Sequence, residues 1–255
     1  MTELSPDSPV ATPTFLGSTP QRVPAARLGV AVVHDLVAAI VTGEVQPGQS
    51  LPPEGVLSQQ FGVSRTVIRE SVKRVEEKGL VNIAQGRGTE VLPAGSWNVL
   101  DPVVLSALVE HDDSVGVLDE LAVVRGSLEG SMAAEAATVR SDDEVAALKT
   151  SLEYMHETKD DKRFEQADVD FHVVIMEASK NRLAQNITKI LYMRARESTR
   201  FVGATTDEAV QLTLDEHARI LRAIERGDAP AAENAMREHI RVAWQRRRLP
   251  THLKP

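Results

Sequence analysis

From about residue 113 to residue 248 the apolar side chains recur at intervals of three and four, with no alternating extended run among them. A stretch that long, with that period, buries its apolar faces only by packing helix on helix. Breaks near Ser141-Asp142, Lys159-Asp160, Lys180-Asn181, Gly203 and Gly227-Asp228 divide it into about five long segments. An antiparallel all-α bundle is expected over 113–250.

The chain before it is organised differently. Residues 1–24 hold five prolines and many Ser and Thr, the composition of a disordered tail. Leu28, Val32, Val33, Leu36, Val37 and Ile40 mark a first helix that stops near Gly43, and Pro47-Gly48 makes a turn. Pro53 suits the first turn of a short second helix carrying Val56, Leu57 and Phe61. Beyond Gly62-Val63, Ser64 is a ready N-cap for a third helix running to about Lys78. Past Gly79, two extended pieces, Leu80–Ala84 and Thr89–Leu92, flank the hairpin tip Gln85-Gly86-Arg87-Gly88. Three helices and then a β-hairpin predict a winged helix-turn-helix over 25–94, in a fold that is mainly α. Residues 95–112, with Trp97 to Pro102 and a short helix, read as a linker.

The net charge of −8 is unevenly spread. Residues 95–255 carry 21 basic and 28 acidic side chains, 25–94 are balanced at seven each, and 62–88 reach +3. One end of the molecule is therefore free to meet DNA. Without cysteine there are no disulfides or thiol chemistry, and any metal must be held by His, Asp or Glu. No apolar run approaches the roughly 20 residues of a membrane span, and the N-terminus lacks a secretory pattern. A cytoplasmic protein with no membrane partner is expected.

On the third helix Arg65, Arg69 and Lys73 recur at four-residue steps, with Thr66 beside them, opposite a core face of Val67, Ile68, Val72 and Val75. Arginine's forked donors match guanine O6 and N7, or a phosphate, and the second helix of such a pair lies in the major groove. Ser64 and Thr66 at the helix start suit a phosphate oxygen. Arg87, between two glycines, brings charge and backbone toward the minor groove. On charge alone a solvated basic face is an equal reading; the order of elements turns it toward double-stranded DNA.

The bundle carries a second signal. Its inward stripes include Phe164, Asp168, Phe171 and Ile175 with His172 beside Asp168, then Leu214, His217, Leu221 and Ile224, then Ala232, Met236, His239 and Ala243. One histidine on such a stripe is usually a hydrogen-bonded core residue. Three with an aspartate point instead to one divalent ion per chain, because an uncompensated buried carboxylate costs several kcal/mol. Zinc is the first expectation, and the set also suits nickel, manganese or cobalt. His34, His111, His156 and His252 have no such placement. Arg125 falls on the stripe Leu118, Leu121, Leu128, Met132, either paired with Glu129 or clamping an anion. Thr213, one turn before His217, is a candidate hydroxyl contact. Arg246, inside Arg246-Arg247-Arg248, reads as a solvated helix end.

Ordered strings of residues give two resemblances. Pro47-Gly48-x-x-Leu51-Pro52, Phe61-Gly62-Val63-Ser64-Arg65-Thr66, Ile68-Arg69-Glu70, Lys78-Gly79-Leu80-Val81 and Gly86-x-Gly88-Thr89 span about 65 residues and resemble the start of the GntR family of regulators. The resemblance implies DNA contacts by Ser64, Arg65, Thr66, Arg69, Gln85 and Gly86. The family usually carries an arginine after the glutamate that opens the second helix; here that position is Gly55, so operator preference does not carry over. The bundle resembles the all-helical effector domain of the FadR-type branch. The match lies in Arg125-x-x-x-Glu129, Asp168-x-x-Phe171-His172, Asn181, Glu216-His217-x-x-Ile220, Gly227-Asp228 and Met236-x-x-His239. In metal-binding members the ligands correspond to Asp168, His172, His217 and His239, and a corresponding arginine often contacts a small carboxylate, hydroxy acid or sugar acid.

The expectation is a homodimeric repressor of a catabolic operon that reads a pseudo-palindromic operator and answers to a small carboxylate or sugar acid. Two half-sites supply the selectivity one winged helix lacks. The rival is a metal-dependent hydrolase using the Asp/His site, and a third reading keeps the metal purely structural.

Overall fold

The computed structural model describes residues 25–84, 86, 88–111, 116–197 and 206–247. The expected tail 1–24, Gln85, Arg87, Gly203 and His252 lie outside the described residues. Helices α1 (Ala25–Val41), α2 (Glu54–Phe61) and α3 (Arg65–Glu77) precede strands β1 (Val81–Ala84) and β2 (Gly88–Val91). The strands are antiparallel, with Val81 opposite Val91 and Ala84 opposite Gly88. Ser64 caps α3, its hydroxyl accepting from the Val67 amide at 3.3 Å. Val32, Val33, Leu36, Val37 and Ile40 of α1 pack with Ile68, Val72 and Val75 of α3 and Val81 and Val91 of the wing in one core.

Helix α4 (Pro102–Glu110) occupies the expected linker. Asp101 caps it, accepting from the Val103 and Val104 amides, and Pro102 starts the helix where a missing N–H costs nothing. Its two faces belong to different cores. Val104 and Ala107 pack with the winged helix, while Leu105 and Val109 pack with Leu118, Leu121 and Leu191 of the bundle.

Six helices then follow where about five segments were expected: α5 (Gly116–Val139), α6 (Asp142–Glu157), α7 (Phe164–Ala178), α8 (Arg182–Glu197), α9 (Asp207–Arg226) and α10 (Ala229–Arg247). Four of the expected breaks separate them among the described residues. Ser141 and Glu144 form a capping box at α6, Thr206 caps α9, and Gly227 ends α9 in the left-handed conformation. Helix α5 runs along α10 and also touches α7, α8 and α9, so it forms one wall of the bundle interior. No described helix is long and apolar enough to cross a membrane.

Candidate metal centre and nucleic-acid face

Helix α3 exposes Arg65, Thr66, Arg69 and Lys73, with Ser64 exposed at its start, and Gly86 lies exposed at the wing tip with φ +80°. Arg69 crosses to α2, where its Nε and Nη2 donate to the Glu54 carboxylate at 3.1 and 3.0 Å. That hydrogen bond lowers the Glu54 pKa against an opposing desolvation effect, with the nearby charges of Arg69 and Arg65 adding to the lowering. Lys73 meets Glu70 at 3.2 Å. Both pairs are open to water, where exposed ion pairs hold weakly and exchange readily for other anions. Arg65 leans over Gly55: a Cβ added there would sit 3.3 Å from Arg65 Nη2. The space beside the second helix is thus filled from α3.

In the bundle, α7 supplies Asp168 and His172, α9 His217 and α10 His239, all buried. The three Nε2 atoms lie 3.3, 3.1 and 3.3 Å apart, and Asp168 Oδ1 is 3.6 Å from His217 Nε2. Nitrogen ligands about 2.0–2.1 Å from one ion lie roughly 2.9–3.4 Å from each other, depending on octahedral or tetrahedral geometry. The tautomers agree with this. His172 Nδ1 donates to Glu129 Oε2 at 2.6 Å and His239 Nδ1 donates to Glu216 Oε2 at 2.8 Å. Carboxylates accept, so the hydrogens sit on Nδ1 and both Nε2 lone pairs point into the shared space. His217 Nδ1 faces the Met155 sulfur at 3.2 Å, and its ring stacks on Phe171. Burial holds His217 well below the ordinary imidazole range, with His239 adding to the effect and Asp168 opposing it. Burial likewise lowers His239 against the pull of Glu216. Asp168 Oδ1 is buried with no hydrogen-bond partner among the described residues. Converging lone pairs and an orphaned carboxylate oxygen fit a divalent cation.

Glu129 also accepts from Arg125, whose Nε and Nη2 lie 2.9 and 2.8 Å from Oε1. Burial would raise the Glu129 pKa, yet Arg125 and His172 together hold it down to about 2. The Arg125 guanidinium stacks over Tyr192 at 4.4 Å. Arg125 thus makes the Glu129 pair that was one of its two sequence readings, and it also lines a cavity with Asp168, His172, His239, Tyr192 and Arg247. Thr213 is not brought to it: its hydroxyl donates to the Ala209 carbonyl and lies 3.4 Å from Arg246 Nη2.

Residues 28–91 match the family described as bacterial regulatory proteins, gntR family, and residues 120–242 match the FCD domain. An uncharacterized HTH-type transcriptional regulator, YieP of Escherichia coli K12, is 33% identical over 84% of this chain and 93% of its own. The chain belongs to the GntR family. The galactonate operon transcriptional repressor of the same organism is 31% identical over 80% of this chain and 90% of its own. A solved structure of Lar, described as controlling the Listeria monocytogenes agr system, shares the fold at TM-score 0.53 and 17% identity, covering 86% of this chain and 95% of that one. The FCD domain places the chain on the FadR-type branch, and its relatives are transcription regulators, not enzymes. This GntR-family chain is a DNA-binding transcription regulator, and the hydrolase alternative falls.

One reading of a single residue in this GntR chain changes. Arg246 is no solvated helix end: it reaches back to Glu216 with Nη1 and Nη2 at 2.7 and 2.8 Å, its side chain 21% exposed. No role was legible in the sequence for Glu216, Tyr192 or Arg247. Glu216 stood next to His217 with nothing local to mark its hydrogen bond to His239, 23 residues on. Arg247 was hidden inside a basic run. The other described histidines, His34, His111 and His156, are exposed and lie apart from the cluster.

Proposed function

We propose that this GntR-family regulator is a homodimer whose bundle holds one divalent metal ion, zinc first among the candidates, and a small carboxylate or sugar acid that controls operator affinity. One observation carries the reading: Asp168, His172 and His239 floor a cavity whose wall includes Arg125. Asp168, His172, His217 and His239 would hold the ion, which would supply a Lewis-acid anchor for an effector oxygen. Glu129 and Glu216 keep two of the rings in the tautomer that presents Nε2. Arg125, braced by Glu129 and Tyr192, offers its remaining N–H groups to a carboxylate. The name of the galactonate repressor supports an acid effector and the repressor role.

The response needs a mechanical route to α3, and α4 is placed for it. Leu118 and Leu121 line the cavity and pack on Leu105 and Val109, while the opposite face of α4 is part of the winged-helix core. A ligand that shifts α5 therefore acts on the frame that carries α3. It does so only by its difference in affinity between two states, typically about 1–3 kcal/mol of coupling, and operator DNA changes effector affinity by the same factor.

Fluorescence anisotropy with a pseudo-palindromic operator at fixed salt tests the DNA side. Arg69→Ala should weaken binding about tenfold or more per half-site, with fold and dimer intact. Calorimetry with a panel of hydroxy acids and sugar acids tests the effector side. Arg125→Ala should keep metal and operator binding and lose the effector response. An effector that binds Arg125→Ala as tightly as wild type would reduce Arg125 to the partner of Glu129. Ligand binding with no change in operator affinity would favour a purely structural centre.

A further inference from the structure

Glycine is a costly residue inside the first turn of a helix, because ordering it forfeits more backbone entropy than ordering any other residue. Gly55 is the second residue of α2, and what a side chain there would meet explains its use. A Cβ would stand 3.3, 3.7 and 3.8 Å from Nη2, Cζ and Nε of Arg65, the residue that opens α3. The Arg65 guanidinium thus lies across the bare backbone of α2. Beside it, Glu54 takes Nε and Nη2 of Arg69, one edge of that planar group. A guanidinium carries five N–H donors in a fixed fork, so holding one edge aims the other and leaves about three donors for a base or a phosphate. The head of α2 therefore sets two guanidiniums of the exposed face of α3, one by space and one by charge. Glu54 also puts a negative charge beside cations that phosphates attract, which penalises binding carried by the DNA backbone alone.

We infer that Glu54 and Gly55, both on α2, are specificity-determining residues for DNA: Glu54 aims Arg69, Gly55 leaves Arg65 its seat, and together they favour the operator over other duplexes. The inference rests on the reading of α3 as the DNA-contacting helix and extends it to the helix packed against it. Two arginines already held in place have less side-chain freedom to lose when they meet a base edge.

The probe is the duplex that wild-type, full-length protein selects from a randomised pool. Fluorescence anisotropy compares it with a scrambled duplex of the same composition. Glu54→Gln should lower the ratio of the two affinities about tenfold or more. Operator binding weakens, while the scrambled duplex is held as well or better, with a salt slope steeper by about one per protomer. Gly55→Ala should lower the ratio about fivefold and yet raise the melting temperature, since alanine is the better helix residue. A glycine with no part in recognition would raise the melting temperature alone. Glu77→Gln, which removes the same charge from the far, exposed end of α3, should leave the ratio unaltered. An unchanged ratio in either α2 variant, or an equal fall in Glu77→Gln, would overturn the inference. Arg69→Ala separates it from the reading beneath it. If Arg69→Ala weakens operator binding and the α2 variants do not alter the ratio, α3 still reads DNA and only this inference falls. If Arg69→Ala holds the operator as wild type does, both fall.

Discussion

Glu129 divides its oxygens between Arg125 and His172, and that division explains why a carboxylate 1% exposed is tolerated there. Its charge is met on both sides, and its hydrogen bond decides which His172 nitrogen faces the space shared by Asp168, His217 and His239. Glu129→Gln nearly preserves the shape but removes the charge that favours the Nδ1–H tautomer. Metal affinity should fall about 10–100-fold, as read by competition with a chromogenic chelator. Unchanged affinity would mean that packing alone orients His172. Glu216 does the same for His239, with Arg246 in the place of Arg125. His217 is set differently, by a thioether and an aromatic face, consistent with its position behind the cavity wall.

At the scale of elements, the connection from α3 to α4 is where the two halves are made one frame. Lys78, the C-cap of α3, meets the Asp101 cap of α4 at 2.6 Å, and the Asn98 amide donates to the Lys78 carbonyl at 2.9 Å. Gly79 makes this close approach feasible: its φ is +76°, and an added Cβ would lie 2.3 Å from the Ser96 carbonyl oxygen. Gly79→Ala should destabilise by more than the roughly 1–3 kcal/mol of backbone strain alone. Gly43→Ala, with φ +77° and open space around it, should show only the strain. Urea denaturation of the two variants separates clash from conformation, and equal losses would contradict the packing. The same joint has a pH signature. Burial would raise the Asp101 pKa, but Lys78 and the Val103 and Val104 amides outweigh it and lower the group overall. A lowered folded pKa means the contribution is complete above the ordinary carboxylate range and is lost as pH falls through the lowered value. Asp101→Asn keeps a capping oxygen and loses the ion pair. It should cost about 1 kcal/mol at neutral pH, and the gap from wild type should close in acid.

For the whole molecule, the proposed metal and effector would act through the same linkage. An ion that binds only the folded bundle stabilises it by about 2.7 kcal/mol at a hundredfold excess over its dissociation constant. For a domain of this size that corresponds to a rise of roughly 5–10 °C in the melting temperature. Removing the ion with a strong chelator should reverse the rise, and His217→Ala should melt alike with and without metal. Loaded and stripped wild-type protein melting together would count against the centre.

Much of this architecture is determined by local sequence. Ser64, Asp101, Ser141 and Thr206 place helix starts because a cap acts within three residues of itself. Asp168, His172, His217 and His239 were legible as inward groups because a helical period assigns each residue a face. Period alone does not say which faces meet. His172 and His239 are 67 positions apart, and only the packing of α7, α9 and α10 brings their Nε2 atoms within 3.3 Å. Tertiary structure alone also decided that Arg246 turns back to Glu216, that Arg247 enters the cavity, and that α4 shows one face to each core. The cause is the same each time: a polar side chain's partner is fixed by what the packed helices place beside it, and sequence distance carries no record of that.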